Sequence, residues 1–284
     1  MIKLSRVCAK HNVDGEIYAK IEYYSPGLSK KDRIAKYMIE HAEAQGLLKP
    51  GQTVIEATSG NTGIGLAAVC AIKGYPFVAV MSAGNSPQRV LQMEAFGASV
   101  DLVPQGKDGK PGMVSNEDLQ LVSARFEQLA KEIGAFKVGQ FYNEANAKAH
   151  CQTTGQEIIT QLPDVDVFLD FVGTGGTFEG VARQLKQNNK NIQCIKVLPT
   201  TKQHIIQGGG YFHIPPFDNP KHCDQTMYVS SEDATHWAAE LALTEAIAGG
   251  PSSGANLCAA INYLKENPGK RAVILINDHA LKYQ

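Results

Sequence analysis

The chain has 284 residues, 43% of them apolar, and its 27 lysines and arginines nearly balance its 28 aspartates and glutamates. This balance excludes the strongly basic surface that recruits nucleic acid or an anionic membrane. No run of residues reaches the apolar length of a transmembrane helix, and the N-terminal segment lacks the apolar core of a signal peptide. We therefore expect neither nucleic acid nor a membrane as a partner.

The six cysteines are scattered along the chain, with no CxxC pair and no Cys/His spacing of a metal site. Most of them sit beside apolar residues, as small buried hydrophobic side chains do in proteins of a reducing compartment. The cysteines therefore predict a cytoplasmic protein without a metal.

Strand-like and helix-like segments alternate along the chain. Short β-rich runs cover residues 54–57, 77–81, 100–103, 167–172, 192–198 and 272–276. Helical periodicity covers residues 63–73, 86–96, 116–133, 147–162, 178–186 and 253–266. This alternation predicts an α/β fold with largely parallel sheets. Two glycine- and proline-rich stretches, residues 105–116 and 207–220, are predicted to be irregular loops.

Two short motifs lie in the first quarter of the chain. Residues 29–33 (Ser-Lys-Lys-Asp-Arg) precede a helical pattern, and alone they are typical of a solvated helix start. Residues 58–63 (Thr-Ser-Gly-Asn-Thr-Gly) form a turn between a strand and a helix. Such a turn is either a helix cap or a group of N–H and hydroxyl donors that captures a carboxylate. The motif alone does not separate these two interpretations.

The most specific motif is Gly-Thr-Gly-Gly-Thr at residues 173–177, between a buried strand pattern and a helix pattern. Small residues allow consecutive backbone N–H groups and two threonine hydroxyls to surround one phosphate at the helix N-terminus. Phe178 occupies the place of the third glycine of a dinucleotide-binding fingerprint, and no GxxxxGK[ST] motif occurs. We call residues 173–177 the phosphate cup and predict that it binds a phosphorylated small molecule.

A fourth motif, residues 250–255 (Gly-Pro-Ser-Ser-Gly-Ala), is by itself typical of a serine helix cap. In their order and spacing, the four motifs together resemble the cysteine synthase/cystathionine β-synthase family of pyridoxal-phosphate enzymes. The resemblance runs from residues 17–22 to residues 274–278. It implies fold type II, the tryptophan synthase β-like fold of two lobes with largely parallel twisted sheets flanked by helices. It also implies pyridoxal 5'-phosphate as the cofactor.

Two adjacent lysines, Lys30 and Lys31, compete for covalent attachment of this cofactor. The resemblance implies Lys31, because Asp32 and Arg33 follow it as they do in the family. The lysine of this family forms a Schiff base with the cofactor and, once released, serves as the base for the substrate Cα proton.

The resemblance implies the remaining site residues as well. Asn61 would hydrogen-bond the 3'-oxygen of the cofactor, and Ser252 would face its pyridine nitrogen. The cofactor phosphate would be held by Gly173, Thr174, Gly175, Gly176 and Thr177. The substrate would be held at its α-carboxylate by neutral donors, without an arginine, and the substrate-binding set is Thr58, Ser59, Gly60, Thr62, Gln140 and Gly208.

A serine opposite the pyridine nitrogen has a consequence for the reaction. A carboxylate there would keep the ring protonated and strongly electron-withdrawing, whereas a hydroxyl leaves the ring largely neutral. A weaker electron sink favours prompt loss of a β-leaving group over transamination. The resemblance thus implies β-replacement through an α-aminoacrylate on O-acetylserine, serine or cysteine. Sulfide or a thiol would be the nucleophile, as in cysteine biosynthesis.

Two other functions stay open at this point. One is a β-eliminating lyase of the cysteine desulfhydrase or serine dehydratase type, although dehydratases of this fold tend to carry a four-glycine cup. The other is a non-catalytic relative that binds the cofactor or a peptide. The family also implies a homodimer and, as a further partner, the C-terminal peptide of serine acetyltransferase.

Two lobes are predicted from the resemblance. A small mobile lobe at residues 36–136 would bind the substrate, and a large lobe at residues 1–35 plus 137–284 would bind the cofactor phosphate. The active site is predicted between the lobes, with closure over the substrate excluding water. Lys31 and the phosphate cup must then meet in one cleft.

Overall fold

The computed structural model describes residues 1–107, 109, 114–201, 204–207, 209–210, 217 and 219–283. The chain divides into two compact units. The first unit consists of residues 1–30 with the residues from Asn146 onward, and the second consists of Lys31–Ala145. The range predicted for the small lobe, residues 36–136, lies inside the second unit. The division of roles between two lobes stays a prediction.

The described strands and helices alternate along most of the chain. The strands are β1 (Ile2–Lys3), β2 (Gly15–Ile21), β3 (Val54–Ala57), β4 (Phe77–Ser82), β5 (Ser99–Val103), β6 (Phe136–Lys137), β7 (Val167–Phe171), β8 (Gln193–Pro199), β9 (Gln225–Val229) and β10 (Lys270–Ile276). The helices are α1 (Ser5–Lys10), α2 (Lys31–Ala44), α3 (Asn61–Lys73), α4 (Pro87–Glu94), α5 (Asn116–Glu132), α6 (Ala145–His150), α7 (Gln156–Gln161), α8 (Gly176–Asn188), α9 (Ser231–Glu245) and α10 (Pro251–Glu266). A π-helical segment, Cys151–Gly155, joins α6 to α7, and 3-10 turns cover Pro220–His222 and Ala280–Tyr283.

The first unit is built on a sheet with the strand order β1-β2-β10-β7-β8-β9. β1 runs antiparallel to β2, and the other neighbouring strands are parallel. Phe168 packs with residues of α7 and α8, whereas the next residue, Leu169, packs with residues of α1, α9 and α10. Helices therefore cover both faces of the sheet, which explains why β7 is buried along its whole length.

The second unit is built on a parallel sheet with the order β5-β4-β3-β6. Val122 and Ala130 of α5 pack against Ile55 and Val80 of this sheet. α2 and α3 pack against each other, and a glycine in α3 permits their close approach. A Cβ atom at Gly65 would lie only 3.2 Å from the carbonyl oxygen of Lys31.

The predicted α/β class with largely parallel sheets is confirmed. β3 has the predicted bounds, and each of the other predicted strands agrees with an observed strand to within two residues at either end. The helix predicted over residues 147–162 is instead divided into α6, the π-helical segment and α7. In the part of the chain that the structure describes, we find no helix with the length and apolarity needed to cross a membrane.

Candidate active site

The phosphate cup connects β7 to α8 in the first unit. Gly175 has φ +89°, a left-handed conformation that favours glycine, and it is the N-cap of α8. The Thr174 hydroxyl oxygen accepts hydrogen bonds from the Gly176 N–H at 3.3 Å and from Nδ2 of Asn146 at 3.4 Å. A Cβ atom at Gly176 would overlap the Asn146 side-chain amide. The small residues of the cup are therefore required by its geometry.

The start of α8 is suited to an anion. A glycine N-cap has no side chain that could accept hydrogen bonds from the first N–H groups of the helix. These N–H groups and the positive end of the helix dipole favour a bound phosphate at this position. The buried hydroxyls of Thr174 and Thr177 lie on either side of the glycine turn.

His150 contacts the phosphate cup through Thr177. Its ring is fully buried, with Nδ1 2.9 Å from the Thr154 hydroxyl and Nε2 3.2 Å from the Thr177 hydroxyl. Both ring nitrogens are thus occupied by threonine hydroxyls. This arrangement is that of a structural histidine, which fixes the orientation of Thr177.

Ser252 lies in the first turn of α10 and is buried. Its hydroxyl oxygen accepts a hydrogen bond from Nδ2 of Asn277 at 3.1 Å, and the backbone N–H of Asn277 donates to Ser253 Oγ at 3.0 Å. Asn277 therefore holds Ser252 through a neutral amide donor. A hydroxyl held in this way can still donate its own hydrogen.

Lys30 is buried in the first unit, and its ammonium is bound to Asp170 of β7. Nζ lies 3.1 Å from Oδ1 and 2.8 Å from Oδ2 of that carboxylate. Nδ2 of Asn256 also donates to Asp170 Oδ1 at 3.2 Å, and the Lys30 N–H donates to the Asn277 carbonyl at 2.9 Å. Sequence reasoning missed this pair, although a lone acid in the apolar run of β7 was a signal for it.

The Thr58–Gly63 turn joins β3 to α3 in the second unit. The N-cap of α3 is Gly60, and the Thr58 hydroxyl oxygen accepts a hydrogen bond from the Gly63 N–H of the first turn at 3.1 Å. The Thr62 hydroxyl donates to Oε1 of Gln140 at 2.7 Å. The two interpretations of this motif are therefore compatible, because a hydroxyl that accepts through its oxygen can also donate.

Lys31 is the first residue of α2 and is half-buried. Its carbonyl oxygen lies against Gly65, one turn after Asn61 in α3. The second unit thus brings the lysine implied by the resemblance close to the helix that begins at Asn61. Lys30 is buried in its ion pair with Asp170, whereas Lys31 is half-buried.

Two residues that sequence reasoning missed contact predicted substrate-binding residues of the second unit. Nη1 of Arg89, in α4, donates to the Ser59 carbonyl at 2.7 Å, so a guanidinium adjoins a turn that we expected to hold neutral donors only. Glu56, in β3, is buried, and its carboxylate accepts from the N–H groups of Gly139 at 2.7 Å and Gln140 at 3.3 Å. Burial raises the pKa of the Glu56 carboxyl to about 7.

The predicted residues are therefore distributed over both units. The first unit contains the phosphate cup and Ser252, and the second contains Lys31, the Thr58–Gly63 turn and Gln140. Gly208 lies outside the described residues.

Comparison with known proteins identifies the family. A family model described as pyridoxal-phosphate dependent enzyme matches residues 1–278. The chain belongs to this family of pyridoxal-phosphate enzymes, and its resemblance to the cysteine synthase branch is confirmed by its relatives. Cysteine synthase of Staphylococcus aureus is 38% identical over 100% of this chain and 91% of its own length.

Solved structures agree with this assignment. A hydrogen sulfide-producing enzyme from Fusobacterium nucleatum has a TM-score of 0.89 and 39% identity, covering 96% of this chain and 91% of its own. O-acetylserine sulfhydrylase isoform 3 from Entamoeba histolytica has a TM-score of 0.90 and 32% identity, covering 99% of this chain and 86% of its own.

The residues of this chain fit pyridoxal 5'-phosphate, the cofactor of the family. The cup offers a glycine-capped helix N-terminus flanked by the buried hydroxyls of Thr174 and Thr177, which suits a phosphate. Ser252 has a buried neutral hydroxyl that would face the pyridine nitrogen. Lys31 would supply the amine for covalent attachment.

Proposed function

We propose that this chain catalyses β-replacement on a small amino acid, in the manner of a cysteine synthase, with pyridoxal 5'-phosphate as cofactor. The observation that carries the proposed reaction type is the hydrogen bond from the Asn277 amide to Ser252. A neutral partner for the pyridine nitrogen favours loss of a β-substituent over transamination. When bound, the cofactor supplies an electron sink that stabilises negative charge at the substrate Cα.

Lys31 is the proposed attachment lysine and the base for the Cα proton. The ion pair of Lys30 with Asp170 supports this choice, because it engages the ammonium of the competing lysine in a buried contact. Lys30 then serves to anchor the chain immediately before Lys31. The proposal requires the residues of both units to act on one bound cofactor molecule.

The phosphate cup and Asn61 are proposed to orient the cofactor. Thr58, Ser59, Gly60, Thr62 and Gln140, with Gly208, form the proposed substrate site. Within this set, hydroxyl and amide donors at the start of α3 would hold the substrate carboxylate. Arg89 adds a positive charge behind Ser59, which strengthens the attraction of this turn for an anion.

Several finer assignments belong to the same proposal. The amino-acid substrate would be O-acetylserine, serine or cysteine, and the nucleophile sulfide or a thiol. A homodimer, a cytoplasmic location and binding of the serine acetyltransferase C-terminal peptide follow from the family resemblance and stay predictions. All six cysteines are free, as expected for a reducing compartment.

A second candidate is a lyase that releases sulfide. It is favoured by the 39% identity to the hydrogen sulfide-producing enzyme of F. nucleatum. In both reactions a β-substituent leaves, and they differ in whether a nucleophile is then added. The residues described above serve either reaction equally.

The test is product analysis of the purified protein loaded with pyridoxal 5'-phosphate. We expect a visible cofactor band that changes on addition of O-acetyl-L-serine and returns when sulfide is supplied, with cysteine as product. Pyruvate instead of cysteine would favour the lyase. A chain that carries no cofactor band, or whose band ignores O-acetylserine, serine and cysteine alike, would contradict the proposed function.

A further inference from the structure

A buried carboxylate in β3 is not used by the proposed mechanism. Glu56 is only 3% exposed, in a strand whose first two residues, Val54 and Ile55, are buried apolar side chains. An ionisable group in such a place costs free energy unless its neighbours hydrogen-bond it. In the described part of the chain no lysine, arginine or histidine forms an ion pair with it. The contacts of Glu56 are therefore polar but uncharged.

These contacts converge on the segment that carries Gln140. The Gly139 N–H donates to Oε2 of Glu56 at 2.7 Å, and the Gln140 N–H donates to Oε1 at 3.3 Å. The Gln140 side chain also lowers the pKa of this carboxyl, against the larger effect of burial. Gly139 has φ +69°, in the left-handed region that favours glycine. The carboxylate stabilises this turn because it accepts hydrogen bonds from the N–H groups of both Gly139 and Gln140.

A second hydrogen bond extends the arrangement to α3. Oε1 of Gln140 accepts the hydroxyl hydrogen of Thr62 at 2.7 Å. The amide oxygen of Gln140 therefore faces Thr62. Glu56 holds the backbone of Gln140 through its N–H group and thereby positions the side chain that accepts the Thr62 hydroxyl.

We propose that Glu56 is a positioning residue for the α-carboxylate of the amino-acid substrate, acting through Gln140 and Thr62. This inference rests on the proposed function, in which Gln140 and Thr62 bind that carboxylate. Glu56 itself does not contact the substrate in this proposal. Its role is to hold three segments in register: β3, the turn after β6, and the first turn of α3.

A positioning role and a purely structural role predict different results. A structural carboxylate would lower stability when it is replaced and would leave affinity for the amino acid unchanged in the molecules that fold. A positioning carboxylate would weaken amino-acid binding specifically, because the Gln140 amide and the Thr62 hydroxyl would no longer be aligned. Loading with the cofactor would be unaffected in either case.

The experiment compares Glu56→Gln with a matched control, Asp118→Asn. Asp118 is another buried carboxylate of the second unit, and it accepts backbone hydrogen bonds from Ser115 and Gly106, both at 2.8 Å. Each variant is loaded with pyridoxal 5'-phosphate. It is then titrated with whichever of O-acetyl-L-serine, L-serine or L-cysteine changes the visible spectrum of the unmodified protein.

We expect Glu56→Gln to bind its full complement of cofactor and to need at least about tenfold more amino acid for half-saturation, a loss of about 1.4 kcal/mol. Asp118→Asn should keep the affinity of the unmodified protein. KM for the amino acid should rise in Glu56→Gln more than kcat falls. Equal amino-acid affinity in Glu56→Gln and Asp118→Asn would overturn the inference.

A double-mutant cycle covers the case in which Glu56→Gln folds poorly. Thr62→Val removes the hydroxyl at the far end of the arrangement, and Glu56→Asp keeps the charge but shortens the side chain. If Glu56 acts through Thr62, the loss of affinity in the double variant will be smaller than the sum of the two single losses. Full additivity would overturn the inference. A spectrum of the unmodified protein that ignores every amino acid would instead contradict the proposed function itself.

Discussion

The ammonium of Lys30 lies 2.8 Å from Oδ2 of Asp170, and both side chains are buried. This pair anchors the residue immediately before Lys31 to β7, the strand that leads into the phosphate cup. The neighbouring Lys31 is half-buried, so the two adjacent lysines differ in burial.

Breaking this ion pair should be costly. In Asp170→Asn the Lys30 ammonium would remain buried beside a neutral amide, and we expect the free energy of unfolding to fall by about 3–5 kcal/mol. The double variant Lys30→Met/Asp170→Leu should lose much less, because neither charge is then left unpaired. Urea unfolding measures both values. Lys137→Met, which removes an exposed ion pair with Glu127, is the control and should change stability little.

The phosphate cup should not tolerate a side chain at Gly176. A methyl group there would overlap the Asn146 amide and displace the turn that provides the N–H donors. We expect Gly176→Ala to weaken cofactor binding at least about tenfold, measured by titrating the purified protein with pyridoxal 5'-phosphate. Adding Asn146→Ala should restore part of this affinity if the overlap is the cause. Unchanged cofactor affinity in Gly176→Ala would show that phosphate binds elsewhere.

Ser252 offers a test of the preference for β-replacement. In Ser252→Asp a carboxylate would keep the pyridine nitrogen protonated, and we expect kcat/KM for cysteine formation to fall at least about tenfold. Ser252→Ala keeps the position neutral and should lose less. The two variants are compared by steady-state kinetics at equal cofactor loading. If Ser252→Asp were as active as Ser252→Ala, the charge at this position would not matter to the reaction.

Glu56 should make stability depend on pH. Burial raises the pKa of its carboxyl from 4.5 to about 7, so between these values the folded chain keeps a proton that the unfolded chain has lost. The stability contributed by this group therefore falls as pH rises through that window and levels off above it. The shift corresponds to a change on the order of 3 kcal/mol.

The measurement is the difference in unfolding free energy between Glu56→Gln and the unmodified protein from pH 5 to pH 8. Glutamine does not titrate, so the variant should gain stability relative to the unmodified protein as pH rises to about 7. A difference that stays flat over this range would show that Glu56 is ionised in the folded protein throughout.

The class of fold could be predicted from local pattern, whereas much of the site could not. Short apolar runs such as residues 77–81 of β4 are visible because every residue in them is apolar. We did not predict α9, although its start has a sequence signal. Ser230 caps the helix by accepting a hydrogen bond from the Asp233 N–H at 3.0 Å. The π-helical segment was not predicted either, because helical periodicity in the sequence continues through residues 147–162.

The polar contacts of the site depend on residues far apart in the chain. Lys30 and Asp170 are 140 positions apart, and Glu56 and Gln140 are 84 positions apart. Composition and spacing give no means of pairing such residues. An acid inside an apolar strand, as at Asp170 and Glu56, was the one available signal that a buried partner must exist.

The most direct test of the account is to identify the lysine that binds the cofactor. The unmodified protein is loaded with pyridoxal 5'-phosphate and reduced with borohydride, which makes the bond between lysine and cofactor permanent, and the labelled peptide is sequenced by mass spectrometry. We expect the label on Lys31, with labelling retained in Lys30→Arg and lost in Lys31→Arg. A label on Lys30, or labelling that survives in Lys31→Arg, would contradict it.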